Sequence, residues 1–322
     1  MESARFPPVE SLPNLGLMRT RNVSDGVKGG FNWSLTVVRL ILSKVMVRDW
    51  RRSRRTPYNR VTRVAVRCRF PLMTPGRQIL GIRFFNGDVD EAVQAIIQRG
   101  GFLFAPSGSC FARLREDERY RRAVVAADLA IADSGLMVVL CRLFRRESLQ
   151  RISGLKYLKH LLATLKGAGI GAVFWIVPNE RAARKLLDWS RREAVPITGE
   201  NCYVAPRYKI EVGDPNLLAL IERGRPAHVI IGIGSGAQEK LGHLLRENLS
   251  YRPAIYCIGA ALGFLTGDQI AIPDWADRAF LGWFWRLFAQ PRTFIPRLCR
   301  VLELPWLLWK YGETLPPMRG QK

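Results

Sequence analysis

Five short apolar runs, bounded by breaking residues, recur along the middle of the chain: FLFAP (102–106), DLAIA (128–132), AVFWIV (172–177), HVIIGI (228–233) and AIYCIG (254–259). Runs of this length suit strands buried on both faces. Between them the pattern turns helical. Asp88 stands three residues before Glu91, the spacing of a capping box, and Val93, Ile96 and Ile97 share one face of the helix that follows. Asp214-Pro215 reads as a cap plus a first-turn proline ahead of Leu217, Leu218 and Ile221. Strands alternating with helices predict an α/β fold over residues 79–272, a parallel sheet with helices on both faces. Ligands of such sheets sit beyond the carboxyl ends of the strands. The residues that follow each apolar run are therefore the first candidates for a site.

Outside that span the composition changes. Residues 1–78 form a basic N-terminal extension, with nine arginines between Arg48 and Arg69. Residues 1–30 predict a disordered tail. Residues 33–50 suit an amphipathic helix. Such a helix either packs in a core or lies at a membrane surface, where neighbouring arginines hold anionic headgroups at about 1 kcal/mol each. Residues 273–322 form an aromatic and basic helical appendage. Four tryptophans and four phenylalanines stand between Phe280 and Tyr311, beside Arg286, Arg292, Arg297 and Arg300, and Pro291, Pro296 and Pro305 break the stretch. A buried helical cap is one reading. An interfacial membrane segment is the other, and it accounts for rings set beside cations.

The formal charge of +23 attracts polyanions: nucleic acid, anionic lipid or phosphorylated substrates. No nucleic-acid recognition motif or stacking platform stands in the core, so nucleic acid is not expected as a partner; a basic nucleic-acid-binding protein is kept as an alternative. The six cysteines and three histidines are scattered without a CxxC pair, which predicts neither a zinc site nor a disulfide framework, but reduced thiols in a cytoplasmic protein. The N-terminus lacks the apolar core of a signal peptide, and no run of eighteen uncharged apolar residues predicts a transmembrane helix.

The stretch VIIGIGSGAQEKL (229–241) sets Gly232, Gly234 and Gly236 at the end of a strand. The spacing is GxGxG, not the GxGxxG of a dinucleotide site, which disfavours a nicotinamide oxidoreductase. Glycines still admit a ligand close to the backbone, and the helix N-terminus behind them offers free N–H groups to an anion. A tight turn alone is the competing reading. Gln238 and Glu239 add an amide and a carboxylate suited to ribose or sugar hydroxyls. A second candidate is Asp133, at the carboxyl end of DLAIA, which reads as either a catalytic acid or the N-cap of a helix over 134–145. A third, Asp88-Val89-Asp90, has the DxD form of metal-diphosphate sites. It opens a helix with capping-box spacing, so no metal is expected there.

ADLAIADSG, RISG (151–154), VFWIVPNERAARKLL, GIGSGAQEKL, IGAALGFLTG and GWFWRLFAQPRTFIPR together resemble the WecG/TagA/CpsF family of bacterial glycosyltransferases, from about Gly81 to Arg297. The resemblance implies a Rossmann-like core and transfer of a sugar from a UDP-sugar to a polyprenyl-diphosphate-linked acceptor in surface polysaccharide synthesis. It implies inversion at the anomeric centre, no cofactor and no metal. It also implies a C-terminal segment that joins the membrane and completes the active site, hence a peripheral protein on the cytoplasmic face of the inner membrane, with an oligomer allowed. The implied base is Asp133. Ser107, Gly232, Gly234, Ser235, Gln238 and Glu239 fall on substrate-binding positions, as do the tail arginines Arg286, Arg292 and Arg297. The chain departs from the family's pattern in places. TPN reads Ala105-Pro106-Ser107, and DG reads Asp133-Ser134. The proline of GxPxQE is Gly236, the acid of GxFDF is Gly263, and the aspartate after the RxTG-type motif is Lys156. These departures keep a catalytically inactive scaffold of the same fold as an alternative.

Overall fold

The computed structural model describes residues 76–146, 148–166, 169, 172–195, 197–208, 211–269 and 300–320. Each of the five apolar runs contributes a strand to one eight-stranded sheet. The strands are β1 (Arg77–Ile79), β2 (Ile82–Phe84), β3 (Gly101–Phe104), β4 (Leu129–Ala130), β5 (Val173–Val177), β6 (Cys202–Val204), β7 (His228–Ile231) and β8 (Ala254–Cys257). Their order is β1-β2-β4-β3-β8-β7-β5-β6, parallel throughout except that β1 runs antiparallel to β2.

The side chains show why these runs are apolar at nearly every position. Phe102, Phe104, Phe174, Ile176, Val229, Ile231, Ile255 and Cys257 enter one hydrophobic cluster. The residues between them, Leu103, Trp175, Ile230 and Tyr256, enter a second. Successive residues of a strand point to opposite faces, so a sheet covered on both sides needs both sets apolar. Helices α1 (Val89–Arg99), α4 (Gly154–Thr164), α5 (Glu180–Glu193) and α8 (Ala261–Leu265) close the second cluster. The first is covered by a 3-10 helix (Gly108–Arg115), α2 (Glu118–Val125), α3 (Gly135–Arg145), α6 (Pro215–Gly224), α7 (Ala237–Asn248) and α9 (Glu303–Tyr311).

Asp88 caps α1 as its spacing predicts: its Oδ1 accepts from Asp90 N at 2.8 Å, and Glu91 Oε2 accepts from Asp88 N at 3.2 Å. Asp214 caps α6, accepting from Leu217 N at 3.0 Å.

The stretch 273–322 divides. Residues 270–299, with Arg286, Arg292 and Arg297, lie outside the described residues, as does the N-terminal segment 33–50. Residues 300–320 pack into the α/β body. Leu304, Leu307 and Leu308 of α9 are fully buried in the first cluster. Beyond α9 the carbonyls of Gly312 and Glu313 accept from Leu80 N and Gly81 N, each at 2.8 Å. These are the two residues of the β1–β2 turn, both at positive φ as a tight hairpin turn requires. Among the described residues no helix is long and apolar enough to cross a membrane.

Candidate active site

Ser107, Asp133, Gly232, Gly234, Ser235, Gln238 and Glu239 follow the carboxyl ends of β3, β4 and β7 on one end of the sheet, while Arg286, Arg292 and Arg297 lie outside the described residues. Asp133 follows β4, yet it does not cap the helix behind it. Ser134 takes that place, accepting from Met137 N at 3.3 Å. The RISG segment engages Asp133 instead: Gly154 N donates to Asp133 Oδ1 at 2.9 Å, and Arg151 Nε donates to its carbonyl at 3.2 Å. Gly154 sits close to β8, and a Cβ there would stand a tight 3.1 Å from the Ile258 carbonyl. One carboxylate oxygen is thus fixed by the N-terminus of α4, beside the ends of β3 and β8.

The glycine turn follows β7, three strands from β4 in the sheet order. Gly234 and Gly236 have φ of +102° and +97°, conformations that L side chains rarely adopt. The Arg113 guanidinium packs over Gly236, and a Cβ there stands 2.9 Å from its Nη1. Among the described residues Arg113 has no carboxylate at ion-pair distance. The sequence offered no signal for this arginine, which lies 123 positions before Gly236. A chain of small polar groups joins the β3 and β7 loops: Ser107 Oγ and Cys110 Sγ are 3.1 Å apart, and Cys110 Sγ and Ser235 Oγ 2.9 Å. Burial, and secondarily the charge of Glu239, pushes the Cys110 thiol up, so it stays protonated. Cys110 was not among the predicted site residues, since a lone cysteine in a helical turn carries no pattern.

Gln238 and Glu239, expected to meet ribose or sugar, lie buried at the start of the helix behind the glycine turn. They are 1% and 0% exposed, and their polar atoms are engaged within the protein. Gln238 Oε1 accepts from Gly259 N at 3.1 Å, Gln238 Nε2 donates to Glu239 Oε1 at 3.0 Å, and Gly236 N donates to Glu239 Oε2 at 2.5 Å. The pair stitches the glycine turn after β7 to the loop after β8. Burial raises the Glu239 carboxyl above its ordinary range, opposed by those hydrogen bonds and by Arg113.

A cavity opens at the ends of β5, β7 and β8, lined by Pro178, Gly232, Gly259, Leu262, Asp268 and Gln269. Gly263 also borders it. Gln269 folds over Gly263, its Cγ 2.9 Å and Nε2 3.3 Å from where a Cβ would stand. The volume of a side chain at position 263 is therefore filled by a carboxamide from six residues on. Arg181 and Lys185 of α5 pair with Asp268 at 3.2 and 3.1 Å, and Lys185 Nζ donates to the Gly267 carbonyl at 2.8 Å, which anchors this segment. Ala105 is buried, with its N–H on the Cys257 carbonyl, and Lys156 is exposed on α4.

The arrangement offers one oriented carboxylate, a glycine-lined helix N-terminus with a guanidinium beside it, and a hydrogen-bonding cavity at the carboxyl ends of inner strands. Comparison with known proteins adds to this. The glycosyl transferase WecG/TagA/CpsF family matches residues 77–318. An N-acetylglucosaminyldiphosphoundecaprenol N-acetyl-beta-D-mannosaminyltransferase of Bacillus subtilis (strain 168) is 25% identical over 235 residues, 70% of this chain and 81% of the relative.

Proposed function

As a member of the WecG/TagA/CpsF family this chain is a glycosyltransferase, and we propose that it moves a sugar from a UDP-sugar onto a sugar carried by a polyprenyl diphosphate. The acceptor class follows the activity for which the Bacillus relative is named. The observation that carries the mechanism is the state of Asp133. It stands at a strand end, and Ser134 relieves it of capping its own helix.

The reaction is a direct displacement with inversion. The acceptor oxygen bonds to the anomeric carbon as the bond from that carbon to the diphosphate oxygen breaks. UDP leaves with the electron pair, and Asp133 takes the acceptor's hydroxyl proton. A positioned base is worth about 10²–10⁴-fold in rate. Gly232, Gly234 and Ser235 hold the donor on the turn that Gln238 and Glu239 brace, with Ser107 across from it. Arg286, Arg292 and Arg297 neutralise diphosphate in place of a metal ion, a role that guanidinium forks fill well. Connectivity supports this. Gln269, just before the stretch that carries them, lines the strand-end cavity. Val301, just after it, lies beside Gly108 and Ser134. The lipid-borne acceptor makes this a peripheral protein at an anionic membrane surface, on the cytoplasmic face of the inner membrane.

The test is Asp133→Asn in the full chain. The amide oxygen still accepts from Gly154 N–H, so fold and UDP affinity are retained while transfer to a lipid-diphosphate-linked sugar falls by about 10²–10⁴-fold. A folded Asn variant that transfers at the wild-type rate removes Asp133 as the base.

A further inference from the structure

The described residues expose five large apolar side chains, and all five lie on or beside two helices. Val139 and Leu143 belong to α3, and Leu302, Trp306 and Trp309 to α9 and its cap. Leu143 is 54% exposed and Trp309 65%. On α3 the exposed residues Val139, Arg142 and Leu143, with Arg146 just beyond, follow the 3-1-3 spacing of a single helix face. The opposite face, Met137, Leu140 and Cys141, enters the core. α9 repeats the pattern: Leu302, Trp306, Trp309 and Lys310 face out, and Leu304, Leu307 and Leu308 face in.

The two helices lie side by side in the same direction. At their starts Gly108 is wedged between Ser134, the cap of α3, and Val301 and Leu304. At their ends Arg145 pairs with Glu313 at 2.9 Å. Both bury their inner faces in the same cluster, so both outer stripes face away from it.

We infer that the outer stripe of α3, beside the C-terminal segment already read as joining the membrane, is itself a bilayer-docking surface, and that α3, which opens directly after Asp133, holds the proposed base at the depth of the lipid headgroups. The charge pattern selects the occupant. α3 contains no acidic residue. The acids of α9 and its end are already paired, Glu303 with Arg319 and Glu313 with Arg145. Trp306 lies between two cations, Arg115 and Lys310, each 5.0 Å from its ring. Apolar tips interleaved with cations match a layer that is apolar below and anionic above, where indole rings and snorkelling cations both settle. A two-fold contact between copies would set these cations against one another. An α-helix rises 1.5 Å per residue, so α3 reaches about 16 Å from the site along the surface. An acceptor diphosphate would then meet Asp133 without leaving the membrane.

The inference about α3 rests on the lipid-acceptor reading for its purpose but is tested without it. The full-length protein and its Val139→Asp/Leu143→Asp double variant are floated with vesicles of phosphatidylglycerol and phosphatidylcholine. A photo-crosslinking residue is placed separately at Leu143 and at Lys159, which lies exposed on α4 across the sheet. We expect a tenfold or greater loss of vesicle binding in the double variant with an unchanged melting temperature. Lipid crosslinks should form from position 143 and not from 159. Transfer to a vesicle-borne acceptor should fall in parallel, while transfer to a short-chain, water-soluble acceptor stays within twofold. Wild-type vesicle binding in the variant with no crosslink from 143 overturns the inference. A crosslink from 143 to a second copy or to added RNA in place of lipid overturns it too, as does equal loss on both acceptors. If the wild type transfers to neither acceptor while the binding and crosslinking results hold, the docking face stands and the acceptor reading falls.

Discussion

Replacing Glu239 by alanine removes the acceptor for two buried donors, Gly236 N–H and Gln238 Nε2. Each buried donor left unsatisfied costs about 1–3 kcal/mol, so the loss is about 2–5 kcal/mol once the shared relaxation of one turn is allowed for. At about 2–4 °C per kcal/mol, the melting temperature should fall by about 10 °C. Glu239→Gln is milder, about 1–3 kcal/mol, because the carboxamide accepts one of the two bonds and turns its own N–H groups toward the other donor. The two variants also differ in pH dependence. Burial raises the folded-state value of Glu239. The stability linked to its protonation is therefore complete below the ordinary glutamate range and is lost as pH rises through the raised value. Glutamine has no such slope, so the stability gap between wild type and Glu239→Gln should narrow as pH rises. Thermal and urea unfolding across the acidic to neutral range, with UDP titration at each pH, measures both effects. UDP affinity should drop in both variants, since the brace and not a direct contact is lost. An alanine variant as stable as wild type, or one with full stability and abolished UDP binding, would refute the brace and return Glu239 to the ligand.

Leu307→Ala should destabilise the protein by about 2–5 kcal/mol, since the side chain is fully buried. Replacing residues 270–299 by a short flexible linker should instead leave the melting temperature within a few degrees and abolish transfer. Calorimetry on both variants checks the division of the C-terminal region. Transfer should persist in EDTA, and an activity restored only by magnesium or manganese would overturn the metal-independent displacement.

Local pattern was enough for five of the eight strands of the sheet. β3, β4, β5, β7 and β8 are apolar at nearly every position because both faces are covered, and this leaves a continuous local record in FLFAP or HVIIGI. The caps at Asp88 and Asp214 were legible for the same reason, as each bond closes within three residues. Tertiary structure alone decided the rest. β6 lies at the sheet edge with every residue only half-buried, and β1 and β2 are three residues each, too short to show a period. Asp133 and Ser134 compete for one cap, and the choice fell to Ser134 because a loop twenty-one residues on supplies Gly154 N–H to the carboxylate. Gln238 and Glu239 read as ligands on a strand-end turn, and only the fold shows that Gln238 also accepts from Gly259 N–H in the loop after β8. The aromatic C-terminal stretch gave no sign that Leu304, Leu307 and Leu308 would close a core built more than 150 residues earlier around Phe111 and Met137. Periodicity reports which side of an element is buried. Which loops meet, and whether a polar group faces a ligand or a neighbour, depends on contacts between residues far apart in the chain.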